Sequence, residues 1–389
     1  MRRDGLGPVA IRQGNHNSMK VPFFTLDRQT HVLRDDLSRA VSEVIDSTKL
    51  ILGPAVGEAE RAVADALDAG HGIGVGSGTD ALLVALMAAG IGPGAEVIVP
   101  AYSFFATASS PMRLGARVRF VDVDFQTLQM DPEAFRRAIT PATRAVIVVH
   151  LFGDCADMLR IQTIAADHGI LIIEDAAQSF GARHRGRPAG TMGFCGCFSF
   201  YPTKNLAAIG DAGMIVTNDD AAAERMRLIR AQGAGTGQAR YDHQLLGICS
   251  RLDSIQAAAL MVRLPHVPDW NRRRQAIAAR YIDGLAGLVA LPVSAPDNDP
   301  VYNQFVIRTP ERDALREHLM GHGVGTEIYY PIPLHLQTGL APMNGEVGDH
   351  PRAEEASRTS LALPVFPELT DDEVDYVVGK AREFFRSGG

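Results

Sequence analysis

The sequence predicts an α/β protein whose mostly parallel, seven-stranded sheet is covered by helices on both faces. Extended runs alternate with helical patterns between residues 72 and 217, and such alternation favours right-handed crossovers between parallel strands. The runs at 146–149 and 170–173 are apolar throughout, which is typical of strands that are buried on both faces of a sheet. With 389 residues, the chain is long enough for two domains and a large core.

The individual elements follow from apolar spacing and from the residues that interrupt it. Gly53 and Pro54 end a first helical pattern, because proline cannot continue a helix interior. The predicted strands are 72–76, 96–100, 117–123, 145–151, 169–174, 196–200 and 213–217. The predicted helices of this part are 33–47, 58–67, 81–89, 104–113, 131–139, 157–168, 219–232, 252–264 and 269–285.

A change of pattern near residue 290 indicates a second, smaller α+β domain. Its predicted elements are strand 301–308, helix 310–321, strand 324–329, a proline-rich loop at 331–342 and a closing helix at 370–386. We therefore expect a large domain at 21–265, which includes the N-terminal segment, and a small domain at 266–389. Residues 1–20 are polar and lack an apolar core segment, so they predict a disordered leader rather than a signal peptide.

Charge and cysteine content exclude several classes of protein. The 38 basic and 45 acidic residues give a net charge of −7 without a prominent basic run, which argues against nucleic acid as a partner. No stretch approaches 18 apolar residues, so we expect no membrane span. Four cysteines in a chain of this length indicate a reducing compartment, and we expect a cytoplasmic protein. Cys195 and Cys197 flank a single glycine without a second pair, which favours structural thiols over a metal site.

The stretch at 198–206 contains the residue on which the functional prediction depends. Alternating aromatic residues predict a buried strand, and Pro202 ends it because proline has no N–H to donate. Lys204 therefore follows a strand end, in a turn. By itself, Lys204 is either a solvated loop lysine or a partly desolvated amine with a lowered pKa that can form a Schiff base. This stretch alone does not decide between the two.

A glycine-containing loop follows another predicted strand. Residues 76–79 lead into a helix, where glycines and free N–H groups can form a phosphate cradle to which Thr79 adds a hydroxyl. The alternative is that the loop only caps the helix. The loop matches neither the dinucleotide fingerprint nor the nucleoside-triphosphate loop, so both of those ligand classes are disfavoured.

A carboxylate and an aromatic ring complete the set of strand-end residues, the region where open α/β sheets bind ligands. Asp175 follows the apolar run at 170–173. It can keep the ring nitrogen of pyridoxal phosphate protonated, or it can cap the next turn. Phe104 can stack on a flat ring or pack into the core. Together with Ser199 and Lys204, these residues form the set that a pyridoxal-phosphate enzyme of fold type I requires.

Seven stretches carry a resemblance to one known family: GSGTDAL (76–82), GIGPGAEVIVP (90–100), FVDVD (120–124), IEDAAQSFGA (173–182), FSFYPTKN (198–205), SRLDSIQAA (250–258) and YYPIPLHLQ (329–337). From about residue 21 to its C-terminus, the chain resembles the DegT/DnrJ/EryC1/StrS aminotransferases, which aminate nucleotide-linked keto-sugars. The resemblance implies pyridoxal 5′-phosphate as the cofactor. It also implies a homodimer with shared active sites.

The resemblance further implies roles for residues around the cofactor ring. Lys204 would hold the cofactor covalently and then shuttle the proton between carbon atoms as general base and acid. Asp175 would pair with the pyridine nitrogen. Gln178 would contact the ring hydroxyl, and Phe104 would stack on the ring.

The same resemblance implies which residues hold the phosphate: Gly78, Thr79 and Ser199. The partner subunit would contribute the segment 249–253. The family's usual asparagine in this segment is here Cys249, and a thiol is a poor hydrogen-bond donor. Arg251 is a candidate for binding a carboxylate or a phosphate.

On the sugar side of the site, the resemblance implies Tyr330 and His335. The reaction implied is ping-pong, with L-glutamate as the amino donor and a nucleotide-linked keto-sugar as the acceptor. The combination of Gln178 with the motif at 329–337 favours a 3-keto over a 4-keto sugar.

Three alternatives stay open at this point. The nearest is a glutamine-dependent cyclitol aminotransferase of the same family, of the scyllo-inosose type. The second is a non-catalytic member that binds the cofactor and acts as a regulator; the retained Lys204 and the lack of a helix-turn-helix segment or basic patch stand against it. The third is another fold-type-I activity such as a desulfurase, which needs a cysteine on a mobile loop, and none of the four cysteines lies in an obvious one.

Overall fold

The computed structural model describes residues 19–235, 241–343 and 345–388. Apart from its last two residues, the predicted leader at 1–20 lies outside this described part. The strands are β1 (His71–Val75), β2 (Glu96–Pro100), β3 (Arg117–Val121), β4 (Thr143–Val149), β5 (Leu171–Asp175), β6 (Arg183–His184), β7 (Arg187–Pro188), β8 (Cys195–Ser199), β9 (Gly213–Thr217), β10 (Asn298–Asp299), β11 (Phe305–Arg308) and β12 (Ser360–Leu363). The α-helices are α1 (Asp27–Ser47), α2 (Pro54–Ala66), α3 (Gly78–Ala88), α4 (Ala106–Arg113), α5 (Pro132–Ala138), α6 (Met158–His168), α7 (Asp220–Arg230), α8 (Ser254–Arg263), α9 (Val267–Leu285), α10 (Arg312–Gly321), α11 (Pro351–Thr359) and α12 (Asp371–Arg386).

Seven strands form the main sheet in the order β1-β9-β8-β5-β4-β2-β3. The strands β8, β5, β4, β2 and β3 are all parallel to one another. The strand β9 is antiparallel to both of its neighbours, β1 and β8. The predicted α/β class with a mostly parallel seven-stranded sheet is thus confirmed. Because β1, β8, β5 and β4 run in the same direction, their carboxyl ends meet at one edge of the sheet.

Both faces of this sheet are covered, as the apolar runs predict. Ile147 and Ile173 pack with Leu82 of α3 in a core on one face. Their chain neighbours Val148 and Ile172 pack in a separate core on the other face, together with side chains of α6. This division follows from the strand period of two, which sends successive side chains to opposite faces.

The C-terminal part departs from the prediction in several places. The strand predicted at 301–308 begins only at Phe305, and the two-residue β10 was not predicted. Residues 324–329 are not a strand; they make only single bridges, Val324 to Val21 and Glu327 to Ala362. The helix α11 and the strand β12 were not predicted. The sequence of α11, PRAEEASRT, carries no apolar stripe, and β12 has only four residues, so neither gives a clear periodic signal.

A second apolar core lies in the C-terminal part and is built mainly from α9, β11, α10, β12 and α12. Val21, from the N-terminal segment, also packs into this core. The division of the chain near residue 265 stays a prediction. In the described part of the chain, none of the helices combines the length and the apolar character that crossing a bilayer requires.

Candidate active site

A cavity of about 520 Å³ lies at the edge where the carboxyl ends of the parallel strands meet. Asp175 ends β5, Ser199 ends β8, and Gly78 begins the helix that follows β1. The side chains and backbone that line the cavity come from Ser77, Gly78, Thr79, Leu82, Ser103, Phe104, Ala106, Val149, Leu151, Asp175, Ala177, Gln178, Ser199, Tyr201, Thr203, Lys204, Asp211, Gln304, Tyr329 and Tyr330. The structure therefore brings together eight of the ten residues predicted for the site.

The N-terminus of α3 forms one wall of this cavity. Ser77 is the N-cap residue, and its Oγ accepts a hydrogen bond from the Asp80 N–H at 3.1 Å. A Cβ on residue 78 would lie 2.7 Å from the Cβ of Ser199, so only glycine allows the end of β8 to approach the helix this closely. The first N–H groups of a helix have no partner within the helix, and together with the helix dipole they favour an anion such as phosphate.

The carboxylate of Asp175 is buried at the end of β5. Its Oδ2 accepts a hydrogen bond from the Thr107 hydroxyl at 2.8 Å, and its Oδ1 accepts a longer one, 3.3 Å, from the Ala177 N–H. Because Thr107 gives its only hydroxyl proton to Asp175, the Ser103 hydroxyl is the donor in the 2.8 Å contact between Ser103 and Thr107. Burial raises the pKa of Asp175, and these two hydrogen bonds and the nearby Lys204 oppose that rise.

Lys204 lies in the turn that follows β8, where its backbone N–H donates to the Tyr201 carbonyl at 2.8 Å. Desolvation by the surrounding protein lowers the pKa of Lys204 to about 8, and the negative charge of Asp175 opposes this shift. Near physiological pH, a larger share of this amine is therefore neutral than in an ordinary lysine, whose pKa is about 10.4. A neutral lysine amine can act as a nucleophile toward an aldehyde and as a general base.

Three buried asparagines hold the turn that carries Lys204 in place. Asn205 Nδ2 donates to Asn271 Oδ1 at 2.7 Å, and Asn303 Nδ2 donates to Asn205 Oδ1 at 2.8 Å and to the Thr203 carbonyl at 3.3 Å. Asn271 belongs to α9 and Asn303 precedes β11. The network thus fixes the lysine turn to two elements that come much later in the chain.

The opposite side of the cavity is aromatic. Tyr330 accepts a hydrogen bond on its hydroxyl from Gln178 Nε2 at 3.0 Å, and Gln178 Oε1 accepts from the Phe152 N–H at 2.7 Å. Burial raises the pKa of Tyr330, so its hydroxyl stays protonated. The ring of Phe104 is 58% exposed and lies 6.3 Å from the Tyr330 ring, centroid to centroid. Phe104 therefore presents a free aromatic face at the cavity, which corrects the alternative that it packs into the core.

Two predicted residues do not line this cavity. His335 is buried, its Nε2 lies 3.3 Å from Glu354 Oε1, and its ring packs against His350. The role of His335 as a sugar-binding residue stays a prediction, and in this protomer the ring is buried and does not line the cavity. Arg251 instead donates to Cys249 Sγ at 2.9 Å on the protein surface.

Several lining residues of the cavity escaped the sequence analysis: Ser103, Tyr201, Asp211, Gln304 and Tyr329. So did Thr107, which does not line the cavity but donates to Asp175. Thr107 had a signal, since it lies on the first turn of α4 close to Phe104 in the chain. The asparagine network had none, because its members are widely separated in the sequence.

A model of the DegT/DnrJ/EryC1/StrS aminotransferase family matches residues 32–382. The chain belongs to this family. Among its relatives, a "Pleiotropic regulatory protein" of Geobacillus stearothermophilus is 45% identical over 95% of this chain and 99% of the relative. The "dTDP-3-amino-3,4,6-trideoxy-alpha-D-glucose transaminase" of Streptomyces venezuelae is 43% identical over 94% of this chain and 96% of the relative.

A solved structure of the family extends the likeness to the fold. The crystal structure of S. venezuelae DesV, described as a complex with a ketimine intermediate, superposes with a TM-score of 0.91 at 43% sequence identity. The match covers 94% of this chain and 98% of the DesV chain. This aminotransferase therefore has the fold-type-I architecture that its sequence predicted.

Proposed function

We propose that this chain is a pyridoxal-phosphate-dependent aminotransferase that moves an amino group from L-glutamate to the 3-keto group of a nucleotide-linked sugar. One observation carries the proposal. Lys204, an amine whose pKa is lowered to about 8, shares a cavity with the buried carboxylate of Asp175 and with the N-terminus of α3. These are the groups that the cofactor's aldehyde, ring nitrogen and phosphate require.

The residues present suit the cofactor. Pyridoxal 5′-phosphate, when bound, supplies the electron sink that allows an amino group to move between an amino acid and a keto-sugar. The α3 N-terminus with Gly78, Thr79 and Ser199 would bind the phosphate. The Asp175 carboxylate would pair with the protonated ring nitrogen, and the positive charge of that nitrogen would offset the cost of the buried carboxylate.

Lys204 would carry out the proton transfer. Its amine would bond covalently to the cofactor while the enzyme rests. Once displaced by the amine of a substrate, it would be free to take a proton from one carbon atom and to return it to another. The asparagine network limits the motion of the turn that carries Lys204, which would keep the amine within reach during both half-reactions.

Phe104 and Tyr330 would form the outer wall of the site. Phe104 would cover the cofactor ring. Gln178 already bonds to the Phe152 N–H and to Tyr330, so it would contact the ring hydroxyl with its remaining N–H or lone pair.

The name of the S. venezuelae relative describes a 3-amino sugar, and this likeness supports a keto group at carbon 3.

A homodimer forms part of the proposal. Leu50, Ile51 and Leu52 are 47%, 54% and 41% exposed in the protomer, and they line a second cavity of about 710 Å³ together with Arg230. Three adjacent exposed aliphatic residues are unusual for a free surface, and a second subunit would cover them. Arg251 and Cys249 would then approach the active site of the partner.

The decisive experiment compares the purified holoenzyme with Lys204→Ala. The wild type should show an absorbance band near the edge of the visible range that disappears with L-glutamate and returns with 2-oxoglutarate. Lys204→Ala should lack both the band of the covalently bound cofactor and turnover. Undiminished transamination by this variant would contradict the proposal.

Substrate choice is tested in the reverse direction, with nucleotide-linked 3-amino and 4-amino sugars supplied together with 2-oxoglutarate. Consumption of the 3-amino sugar alone is expected. Replacing L-glutamate by L-glutamine in the forward half-reaction tests the cyclitol alternative. A protein that binds the cofactor yet reacts with no amino donor would favour the regulatory alternative, which the printed name of the Geobacillus relative keeps relevant.

Mixing two inactive variants tests the shared site. If Arg251 serves the partner's cavity, co-refolded or co-expressed Lys204→Ala and Arg251→Ala chains should regain part of the activity, because the mixed dimer contains one intact site. Light scattering should give the mass of a dimer. A fully active monomer would contradict this part of the proposal.

A further inference from the structure

Two histidines and a glutamate form a cluster on the C-terminal part of the molecule, away from the residues that line the active-site cavity. His318 lies on α10 and His322 directly follows that helix, so the two rings project from the same side, with centroids 4.4 Å apart. Glu383 comes from α12. One ring nitrogen of each histidine and one carboxylate oxygen of Glu383 lie within 4.8 Å of one another.

Hydrogen bonds to the backbone determine which nitrogen of each ring has a free lone pair. His318 Nε2 lies 3.0 Å from the Lys380 carbonyl oxygen, and His322 Nδ1 lies 2.8 Å from the His318 carbonyl oxygen. A carbonyl can only accept, so these two nitrogens carry the protons of the neutral rings. The lone pairs are therefore on His318 Nδ1 and His322 Nε2, and neither of these atoms accepts a hydrogen bond from a described residue.

This arrangement is the one that metal-binding histidines use. A histidine ligand almost always donates its other ring N–H to a carbonyl or a carboxylate, which fixes the tautomer and orients the ring before the metal arrives. Both histidines already have this contact. The metal would therefore not have to select a tautomer.

Glu383 supplies negative charge. Its carboxylate forms a hydrogen bond and an ion pair with the Lys380 ammonium at 2.7 Å. The pair engages Oε2 of Glu383 and leaves its other oxygen as a ligand. The same ammonium repels an incoming cation, and Lys380 is therefore the residue that limits affinity.

The two helices that carry the cluster are held rigidly. The Tyr376 hydroxyl of α12 donates to the His322 carbonyl at 3.0 Å, and the buried ring of Phe384 packs 5.5 Å from the His318 ring, centroid to centroid. A site built on fixed elements loses little conformational freedom when it binds a metal.

The geometry points to a binding site for a divalent cation of the zinc class, formed by His318, His322 and Glu383. Two imidazole nitrogens and one carboxylate oxygen with water at the open position suit Zn²⁺, and Co²⁺ accepts the same donors. Such an ion would join α10 to α12. Since none of the three residues lines the active-site cavity, the ion would stabilise the fold and leave the amino-transfer chemistry unchanged.

The test uses untagged holoenzyme freed of excess cofactor, because a polyhistidine tag and free pyridoxal phosphate both bind zinc. Calorimetric titration with ZnCl₂ should show one site per chain, and the melting temperature should rise with the zinc concentration. His322→Ala and Glu383→Gln should each weaken binding about tenfold or more, whereas Lys380→Met should strengthen it. His168→Ala removes an exposed histidine at the end of another helix and should change nothing.

The comparison of zinc binding by the wild type and the variants decides the result. Glu383 is exposed, so Glu383→Gln should fold even if His322→Ala does not. A wild type that binds no zinc below about 1 mM overturns the inference. So does equal binding by the wild type and Glu383→Gln, since the zinc would then be bound elsewhere, for example at the exposed Cys249.

Discussion

Two adjacent carboxylates at the end of β5 serve opposite purposes. Glu174 and Asp175 are both buried, but the strand period of two sends them to opposite faces of the sheet. Glu174 accepts hydrogen bonds from the Gly190 N–H at 2.7 Å and the Met192 N–H at 2.6 Å, and its Oε2 lies 2.8 Å from His150 Nε2. Asp175 has one hydroxyl donor and one long backbone contact.

The difference between these two carboxylates lies in hydrogen-bond saturation rather than in burial. The Ala156 N–H donates to His150 Nδ1, so His150 Nε2 carries the proton and donates it to Glu174. The Gly193 N–H is a fourth donor, to Oε1, so every lone-pair direction of Glu174 is used to hold the 190–193 loop and His150 against the sheet. Asp175 keeps capacity for a further cationic or N–H partner in the cavity. An unsaturated buried carboxylate is the signature of a binding site, whereas a saturated one is part of the scaffold.

The largest effect is expected from Asp175→Asn. The amide keeps the shape of the side chain but loses the charge that would stabilise the protonated ring nitrogen. We expect kcat to fall about a thousandfold, roughly 4 kcal/mol in barrier height, while the free energy of unfolding of the cofactor-free protein changes by less than about 1 kcal/mol. Steady-state kinetics and urea unfolding measure the two quantities. A variant with near-normal kcat would show that Asp175 does not face the ring nitrogen.

Glu174→Gln should give the reverse result. The amide NH₂ would be directed at N–H donors, which leaves buried polar groups unpaired. We expect the free energy of unfolding to fall by about 3 kcal/mol, while turnover per cofactor-loaded site changes little. Urea unfolding and active-site titration by absorbance test this. Loss of turnover in fully folded, cofactor-loaded Glu174→Gln would show that Glu174 contributes to catalysis and not only to stability.

Thr107→Val should have a smaller effect, of about tenfold in kcat, roughly 1.4 kcal/mol. Valine has nearly the shape of threonine but cannot donate to Asp175, so the pKa of Asp175 would rise further. Thr107→Ser restores the donor and should restore most of the activity. If Thr107→Ser and Thr107→Val are equally impaired, the methyl group rather than the hydroxyl is what matters.

The contrast between Glu174 and Asp175 also separates what sequence could predict from what it could not. Long buried strands and their order were predictable, because runs such as 170–173 have a continuous apolar signal and the alternation with helices limits the topology. Asp175 and Lys204 were predictable as strand-end residues. The role of Glu174 was not, because its partners Gly190 and Met192 use backbone N–H groups, which leave no mark in a sequence.

The differences between prediction and structure in the C-terminal part have a similar cause. The segment at 324–329 has strand-like composition, but it pairs only through single bridges and then leads Tyr329 and Tyr330 into the cavity. His335 lies in a motif that the resemblance assigned to the sugar side, yet Glu354 of the unpredicted α11 holds it in the interior. A contact between two irregular segments depends on tertiary packing, which local patterns do not encode.

The smallest effect is expected from the pH dependence of stability in the cofactor-free protein. The pKa of Lys204 is lowered from 10.5 in the unfolded chain to about 8 in the folded one, so the unfolded chain binds more protons between these values. Stability should therefore rise with pH from about 8 to about 10.5 as the cost of burying the charged amine disappears. The full shift corresponds to about 3 kcal/mol, and contact of the amine with solvent in the cavity should reduce it to about 1 kcal/mol.

Lys204→Met, measured by urea unfolding at one fixed protein concentration, removes this contribution, since methionine does not titrate. Between pH 7 and pH 10.5, the free energy of unfolding of the wild type minus that of Lys204→Met should therefore increase by that amount. A difference that stays constant over this range would mean that the amine is fully solvated, and the claim that Lys204 is poised as a neutral nucleophile would fail with it.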